Sequence, residues 1–179
     1  MKKKKIHVIV DVEASGPVPG LFDIISIGIV VLEPGLNRTF YGEFAPLHDA
    51  FQQGAYDAIG VTREQHLAMP VAWDTMALLG TWLDEITDGG RVILISDNPA
   101  FDFMFAAWYC WRFLNRNPFG HSARRFGDFY AGLKRNWSQQ QEWKRLRRTK
   151  HSHNSLDDAM GNAEAILTVF EQEGLKPVW

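Results

Sequence analysis

Apolar residues come first in short, nearly continuous runs and only later at helical spacing. Residues 5–12, KIHVIVDV, and residues 23–33, DIISIGIVVLE, are rich in β-branched side chains and predict two buried strands. Residues 38–46, RTFYGEFAP, alternate like a third strand and follow the turn signal EPGLN. Three successive strands with short links predict an antiparallel meander. Residues 70–86, PVAWDTMALLGTWLDEI, place apolar side chains at helical spacing, with Pro70 at the start and DGG as the stop. RVILIS (91–96) reads as a fourth strand, and DNPAFDFMFAAWYCWRFLN after it as a helix, with Asp97 or Asn98 as cap and Pro99 in its first turn. SLDDAMGNAEAILTVFEQEG (155–174) predicts a last helix, with Ser155 and Asp158 spaced as a capping box and Gly174 as its stop. Strands first, then strand and helix in alternation, imply an α/β fold: a mixed sheet, antiparallel meander plus parallel strands, flanked by helices. Neither an internal repeat nor a long linker divides the chain, so residues 1–179 read as one domain.

Composition narrows the classes. With 46% hydrophobic, 13% aromatic and 22% charged residues, the chain has the make-up of a folded globule. A formal net charge of -2 gives no bulk attraction to phosphate, so any nucleic-acid role must rest on local charge. The one cysteine, Cys110, sits in the aromatic run AAWYCWRF and reads as a buried thiol, which fits a reducing cytoplasm. MKKKK followed by IHVIV is too short and too polar for a signal peptide, and reads as a solvated end plus a strand. Nowhere do about 18 apolar residues run together, so no membrane partner is expected.

The candidate chemistry begins where the first strand ends, in DVEASG. Side chains at i and i+2 of a strand share one face, about 6.6 Å apart along it. Asp11 and Glu13 therefore project together. At about 6 Å and an effective dielectric near 20, their repulsion is roughly 2–3 kcal/mol. A divalent cation removes the conflict, and hard oxygen ligands suit Mg²⁺ or Mn²⁺. The alternative is that one carboxylate merely caps the next turn. Asp102, about one turn into the helix after RVILIS, is a further acid near a strand end, or else complements the positive end of its helix. Asp97 makes a better cap than a ligand. In HSHNSLDDAMGNA (151–163), His153 and Asp158 both look out of one helix end, while Asp157 points about 100° away into solvent. His151 with His153 hints at zinc, but no third nitrogen or sulfur ligand is suitably placed, and zinc is not expected.

D-x-E after a first strand, the Asp of NPAFD after a later strand and H-x4-D opening the last helix together resemble the DEDDh branch of the 3′–5′ exonucleases. That family includes the proofreading subunit of bacterial DNA polymerase III, ribonuclease T and oligoribonuclease. The elements span positions 11 to 158, and DIISIGIVV with SDNPAFDFMF is most similar to stand-alone mycobacterial-type exoribonucleases and their phage and bacterial relatives. Two positions depart from the pattern. Ala14 and Ser15 replace the Thr-Thr or Met-Thr often found after the first motif, and Asp97 stands where a histidine often precedes the Asn of the second. Both concern nucleotide contact rather than the metal site.

The resemblance implies a ribonuclease-H-like fold in which Asp11, Glu13, Asp102 and Asp158 hold two Mg²⁺ or Mn²⁺ ions and His153 accepts the proton of the attacking water. It implies release of nucleoside 5′-monophosphates from the 3′ ends of single-stranded nucleic acid, RNA favoured and DNA possible. Ala14, Ser15, Asn98, Phe101 and Ile59 of AIGVT (58–62) are candidate substrate contacts. Lys134, Arg135, Lys144, Arg145, Arg147, Arg148 and Lys150, interleaved with Trp137 and Trp143, read either as a single-strand track or as a solvated amphipathic helix with its tryptophans in the core. Trp73, Trp82, Trp108 and Trp111 are assigned to packing or to a subunit interface, and stand-alone relatives make a homodimer a further expectation.

Two rival classes remain. A non-catalytic nucleic-acid-binding module of the same fold would be expected to have lost one of the acids or the histidine, yet all five are present. A two-carboxylate glycosidase leaves the His153 and Asp158 spacing unexplained. RNA and DNA are not separated by these motifs, because the 2′-hydroxyl contact lies outside them.

Overall fold

In the computed structural model, which describes residues 5–178, the strands are β1 (Lys5–Ala14), β2 (Ile24–Val31), β3 (Thr39–Glu43), β4 (Arg91–Ser96) and the two-residue β5 (Arg124–Arg125). Of the lysine-rich start MKKKK, read as a solvated end, residues 1–4 lie outside the described residues and the exposed Lys5 opens β1. The strands form one sheet in the order β3-β2-β1-β4-β5. As expected, β1, β2 and β3 make an antiparallel meander, and β4 joins β1 in parallel, with β5 parallel to β4.

Strand register makes the feature on which the site depends. The β1–β4 pairing runs from Lys5↔Arg91 to Ile9↔Ile95, whereas β1 stays paired with β2 as far as Ala14↔Ile24. Beyond Ile9, therefore, one edge of β1 has no strand beside it. Its side chains alternate between two cores. Val8, Val10 and Val12 belong to a core with Met76, Leu79, Phe105 and Tyr109, and Ile9 to a second with Trp143, Ala159, Ala163 and Ile166. Asp11 and Glu13 continue the face of Ile9, so they point toward the last helix.

The helices are α1 (Gln53–Ile59), α2 (Arg63–Leu67), α3 (Ala72–Thr87), α4 (Pro99–Tyr109), α5 (Phe126–Leu133) and α6 (Ser155–Gln172). The helix expected to run on from α4 to about residue 115 instead loosens into a π-helical turn at Cys110–Leu114. Burial pushes the Cys110 thiol up to about 12, which fits an inert core cysteine. Neither Asp97 nor Asn98 caps α4 with its side chain: Asn98 holds the cap position without a side-chain bond, and Asp97 pairs with Lys144. The capping box expected at α6 is also replaced. Asn154 is the cap, its side chain accepting the Leu156 and Asp157 N–H groups. Ser155 instead turns its hydroxyl to Ser26 of β2 at 2.9 Å, a buried contact that outcompetes capping.

That contact marks where α6 lies closest to the sheet. A Cβ placed on Gly28 of β2 would stand 2.2 Å from the Ser155 carbonyl carbon, against backbone that has nowhere to move. Gly28→Ala is accordingly expected to lower stability by about 2–4 kcal/mol and to displace the first turn of α6. Urea unfolding with an unchanged m-value would measure the first effect.

Trp82 and Trp108 pack against the first core, as expected of packing residues, while Trp73 and Trp111 are exposed. No helix among the described residues is long and apolar enough to cross a membrane.

Candidate active site

Asp11 and Glu13 reach past the end of β4 on the α6 face, and α6 returns Asp158 to the same place. Carboxylate oxygens of the three lie within 4.8 Å of one another. Asp102, in the first turn of α4, is buried and accepts the Val12 N–H at 3.1 Å. It thereby fills the unpaired edge of β1 between the other two acids. Asp158 is held from behind by the backbone N–H groups of Ser152 (3.1 Å) and His153 (3.2 Å) and by His151 Nδ1 (2.8 Å). His153, in the left-handed region at φ 58°, sets Nδ1 3.6 Å from Glu13 Oε1.

No lysine or arginine among the described residues lies within ion-pair distance of Asp11, Glu13 or Asp102. Burial, and then the charges of Asp102, Glu13 and Asp158, push the Asp11 carboxyl well above the usual range. Burial first and then Asp158 and Asp102 raise Glu13 to about 8. Burial raises Asp102 to about 7, even though the Val12 N–H opposes it. Four acids converging with no lysine or arginine paired to them among the described residues, two of them anchored by backbone N–H groups, fit hard divalent ions.

Groups with raised folded pKa values contribute stability below their unfolded values near 4, and that stability is lost as pH rises through about 7 and 8. The metal-free protein is expected to lose melting temperature between pH 5 and 9. Mg²⁺ or Mn²⁺ should restore it increasingly toward the alkaline end, by about 2.7 kcal/mol at a hundredfold excess over Kd. Thermal unfolding with and without metal measures both.

A cleft of about 310 Å³ opens beside Glu13, the one of these acids that lines it. Glu13, Ala14, Phe101 and His153 line one side, and Gln52, Ala58 and Ile59 of the α1 region another. Of the expected substrate contacts, Ala14, Ile59 and Phe101 thus stand at the cleft. Ser15 does not: it is buried, and its hydroxyl accepts the Asp23 N–H at 3.0 Å. Asn98 is exposed at the start of α4 and is not among the lining residues.

The basic segment is not a helix but two short 3-10 turns, Trp137–Gln139 and Glu142–Leu146. Trp143 is fully buried, so the core reading holds for it, whereas Trp137 is 73% exposed. Most of the cations are engaged: Lys134 with Glu173, Lys144 with Asp97, Arg145 with Glu142, and Arg147 with Asn162 and the face of Trp143.

Sequence reasoning passed over Asp23. Its fully buried carboxylate accepts Leu47 N–H, His48 N–H, His48 Nδ1 and Tyr109 OH, and so pins to β2 the loop that leads to α1. An acid opening an otherwise apolar strand was the available signal.

A profile of the Rv2179c-like 3′–5′ exoribonuclease domain matches residues 6–170. The chain belongs to that family. This Rv2179c-like chain is 30% identical over 179 aligned residues to the Escherichia coli 3′-5′ DNA exonuclease Cap18, covering 93% of this chain and 92% of that one. Among solved structures it is similar to the nuclease domain of 3′hExo, a DEDDh family member bound to rAMP (TM-score 0.74, 16% identity, 93% and 92% of the two chains). It is also similar to E. coli exonuclease I with a dT13 oligonucleotide (TM-score 0.68, 13% identity, 95% of this chain and 42% of that one). At these identities the likeness is one of fold, the ribonuclease-H-like fold of DEDDh nucleases. Family and relative together make the Rv2179c-like chain a 3′–5′ exonuclease.

Proposed function

We propose that residues 1–179 form one exonuclease domain that shortens single-stranded nucleic acid from its 3′ end, RNA in preference to DNA, releasing nucleoside 5′-monophosphates in a reducing cytoplasm. The observation that carries the reading is the convergence of Asp11, Glu13 and Asp158, with Asp102 and His153 beside them, at an open cleft. Asp11, Glu13, Asp102 and Asp158 would hold two Mg²⁺ or Mn²⁺ ions. When bound, such ions supply charge to the scissile phosphate and acidify a water.

The remaining work falls to the chain itself. His153, at the rim beside Glu13, takes the proton of the attacking water and can pass it to solvent, since its side chain is 43% exposed. The two backbone N–H groups on Asp158 keep that carboxylate oriented while His153 changes charge. Phe101, braced on Phe105 with ring centroids 4.9 Å apart, offers a stacking face for the terminal base, and Ile59 closes the pocket from the opposite wall. Trp137, exposed in the basic segment before His153, is a stacking candidate for upstream bases. The preference for RNA accords with the family's description, and the name of the E. coli relative makes DNA the necessary comparison.

The test uses 5′-labelled single-stranded RNA and DNA oligomers with Mg²⁺, Mn²⁺ or EDTA. A ladder shortening from the unlabelled end only with metal is expected, faster on RNA. Products lacking a 5′-phosphate, or no cleavage with either ion, would overturn the reading.

A further inference from the structure

Beside the all-oxygen cluster stands a second group of different chemistry. His151, His153 and Asp158 offer two imidazole nitrogens and one carboxylate oxygen, all within 4.8 Å of one another. The two imidazole rings lie 4.3 Å apart, and His151 Nδ1 is 2.8 Å from Asp158 Oδ2. Their arrangement is built by the backbone. His153 adopts φ 58°, and the N–H groups of Ser152 and His153 both bond to the Asp158 carboxylate, so the acid is fixed at the point the two rings flank. The rings themselves are 53% and 43% exposed, which leaves the position open to ions from solution.

We propose that His151, His153 and Asp158 form a site for a borderline divalent ion of the zinc type, and that filling it switches the nuclease off. Two imidazoles and a carboxylate are a ligand set that zinc accepts with a fourth position open, whereas Mg²⁺ prefers oxygen alone. The inhibition rests on the function proposed above. Asp158 belongs to both groups, so an ion on the histidines draws that carboxylate away from the oxygen cluster, and the same ion occupies the lone pair with which His153 would take up a proton. His151 takes no proton in the proposed reaction and touches the oxygen cluster only through Asp158, which the Ser152 and His153 N–H groups also hold, so it is the residue by which the two sites can be separated.

The experiment compares wild type with His151→Gln in Mg²⁺-saturated buffer. Calorimetric titration with Zn²⁺ is expected to give one ion per wild-type chain, and an affinity lower by roughly 10-fold or more in the variant. The Zn²⁺ concentration that halves nuclease activity, each protein being compared with its own zinc-free rate, should rise by the same factor. Equal zinc affinity or equal zinc sensitivity in the two proteins would overturn the proposal, since the ion would then be competing at the carboxylates alone. NMR of the wild type gives an independent reading, because the imidazole signals of both histidines should move together on zinc addition. Unmoved signals would refute it too. Calorimetry and NMR need no turnover, so a protein that binds zinc in this way but cleaves nothing would condemn the nuclease reading and not the site.

Discussion

Asp11→Asn is expected to lower kcat by about 10³-fold or more while making the metal-free protein more stable at pH 8. The two effects have one cause. Asp11 is pushed well above the usual carboxylate range by burial and by the charges of Asp102, Glu13 and Asp158, so its ionised form is held there at a cost. An amide of the same shape removes that charge. It also removes a ligand from the proposed ion site, and several kcal/mol of transition-state stabilisation go with it. Relief of one carboxylate–carboxylate repulsion is about 2 kcal/mol, or roughly 4–8 °C in melting temperature for a chain of this size. The gain should shrink as pH falls, because the wild-type acid then carries a proton and the two proteins become alike. Added Mg²⁺ should reverse the order, stabilising the wild type more than the variant. Steady-state rates and melting curves at pH 5 and pH 8 decide the matter. A variant that loses both activity and stability would show that Asp11 is a structural anchor instead.

His153→Ala should lower kcat by about 10²–10⁴-fold with little change in Mg²⁺ affinity. His153 is on the rim, 3.6 Å from Glu13 Oε1, and is not one of the three close-set oxygen donors. Its removal leaves the acids and the N–H groups that orient Asp158 in place, because those N–H groups belong to the backbone. The change leaves a non-glycine residue in the left-handed region, where alanine fares no better than histidine. A modest stability change, within about 1 kcal/mol, is therefore expected. Metal affinity measured by calorimetry beside kcat separates the roles: a parallel loss of both would make His153 a ligand and not the proton acceptor.

How far the site could be read beforehand varies by residue. The D-x-E pair was visible because a period of two obliges Asp11 and Glu13 to share a face. The helix-borne Asp158 was visible because α6 is long, strongly patterned and opened by polar residues. Of the far wall only Ile59 was, through the resemblance of AIGVT to a family motif. α1 and α2 have seven and five residues, too short for periodicity to speak, and such helices persist only when packed. Asp23 binds α1's leading loop to the sheet through three hydrogen bonds and α4 through a fourth, with partners 24 to 86 residues away, beyond any local pattern.

The tryptophans make the same point. Trp137 and Trp143 sit in similar basic surroundings, yet Trp143 is buried in T-shaped contact with Phe126 while Trp137 faces solvent. In the sequence, His151 and His153 lack a third nitrogen or sulfur ligand for zinc. The missing donor is an oxygen, Asp158, brought beside His151 by a backbone turn at His153.

By itself, the sequence determined the strand order of the meander, the positions of the long helices and the identity of the acids, because each is written in local periodicity and residue type. Tertiary structure alone decided that the β1–β4 pairing stops at Ile9, five residues before β1 ends, which opens the strand edge where the acids gather. It also decided which tryptophan is core and which wall faces the acids. Those outcomes depend on contacts between distant segments, and the free energy that selects among such contacts has no term in any short window of the chain.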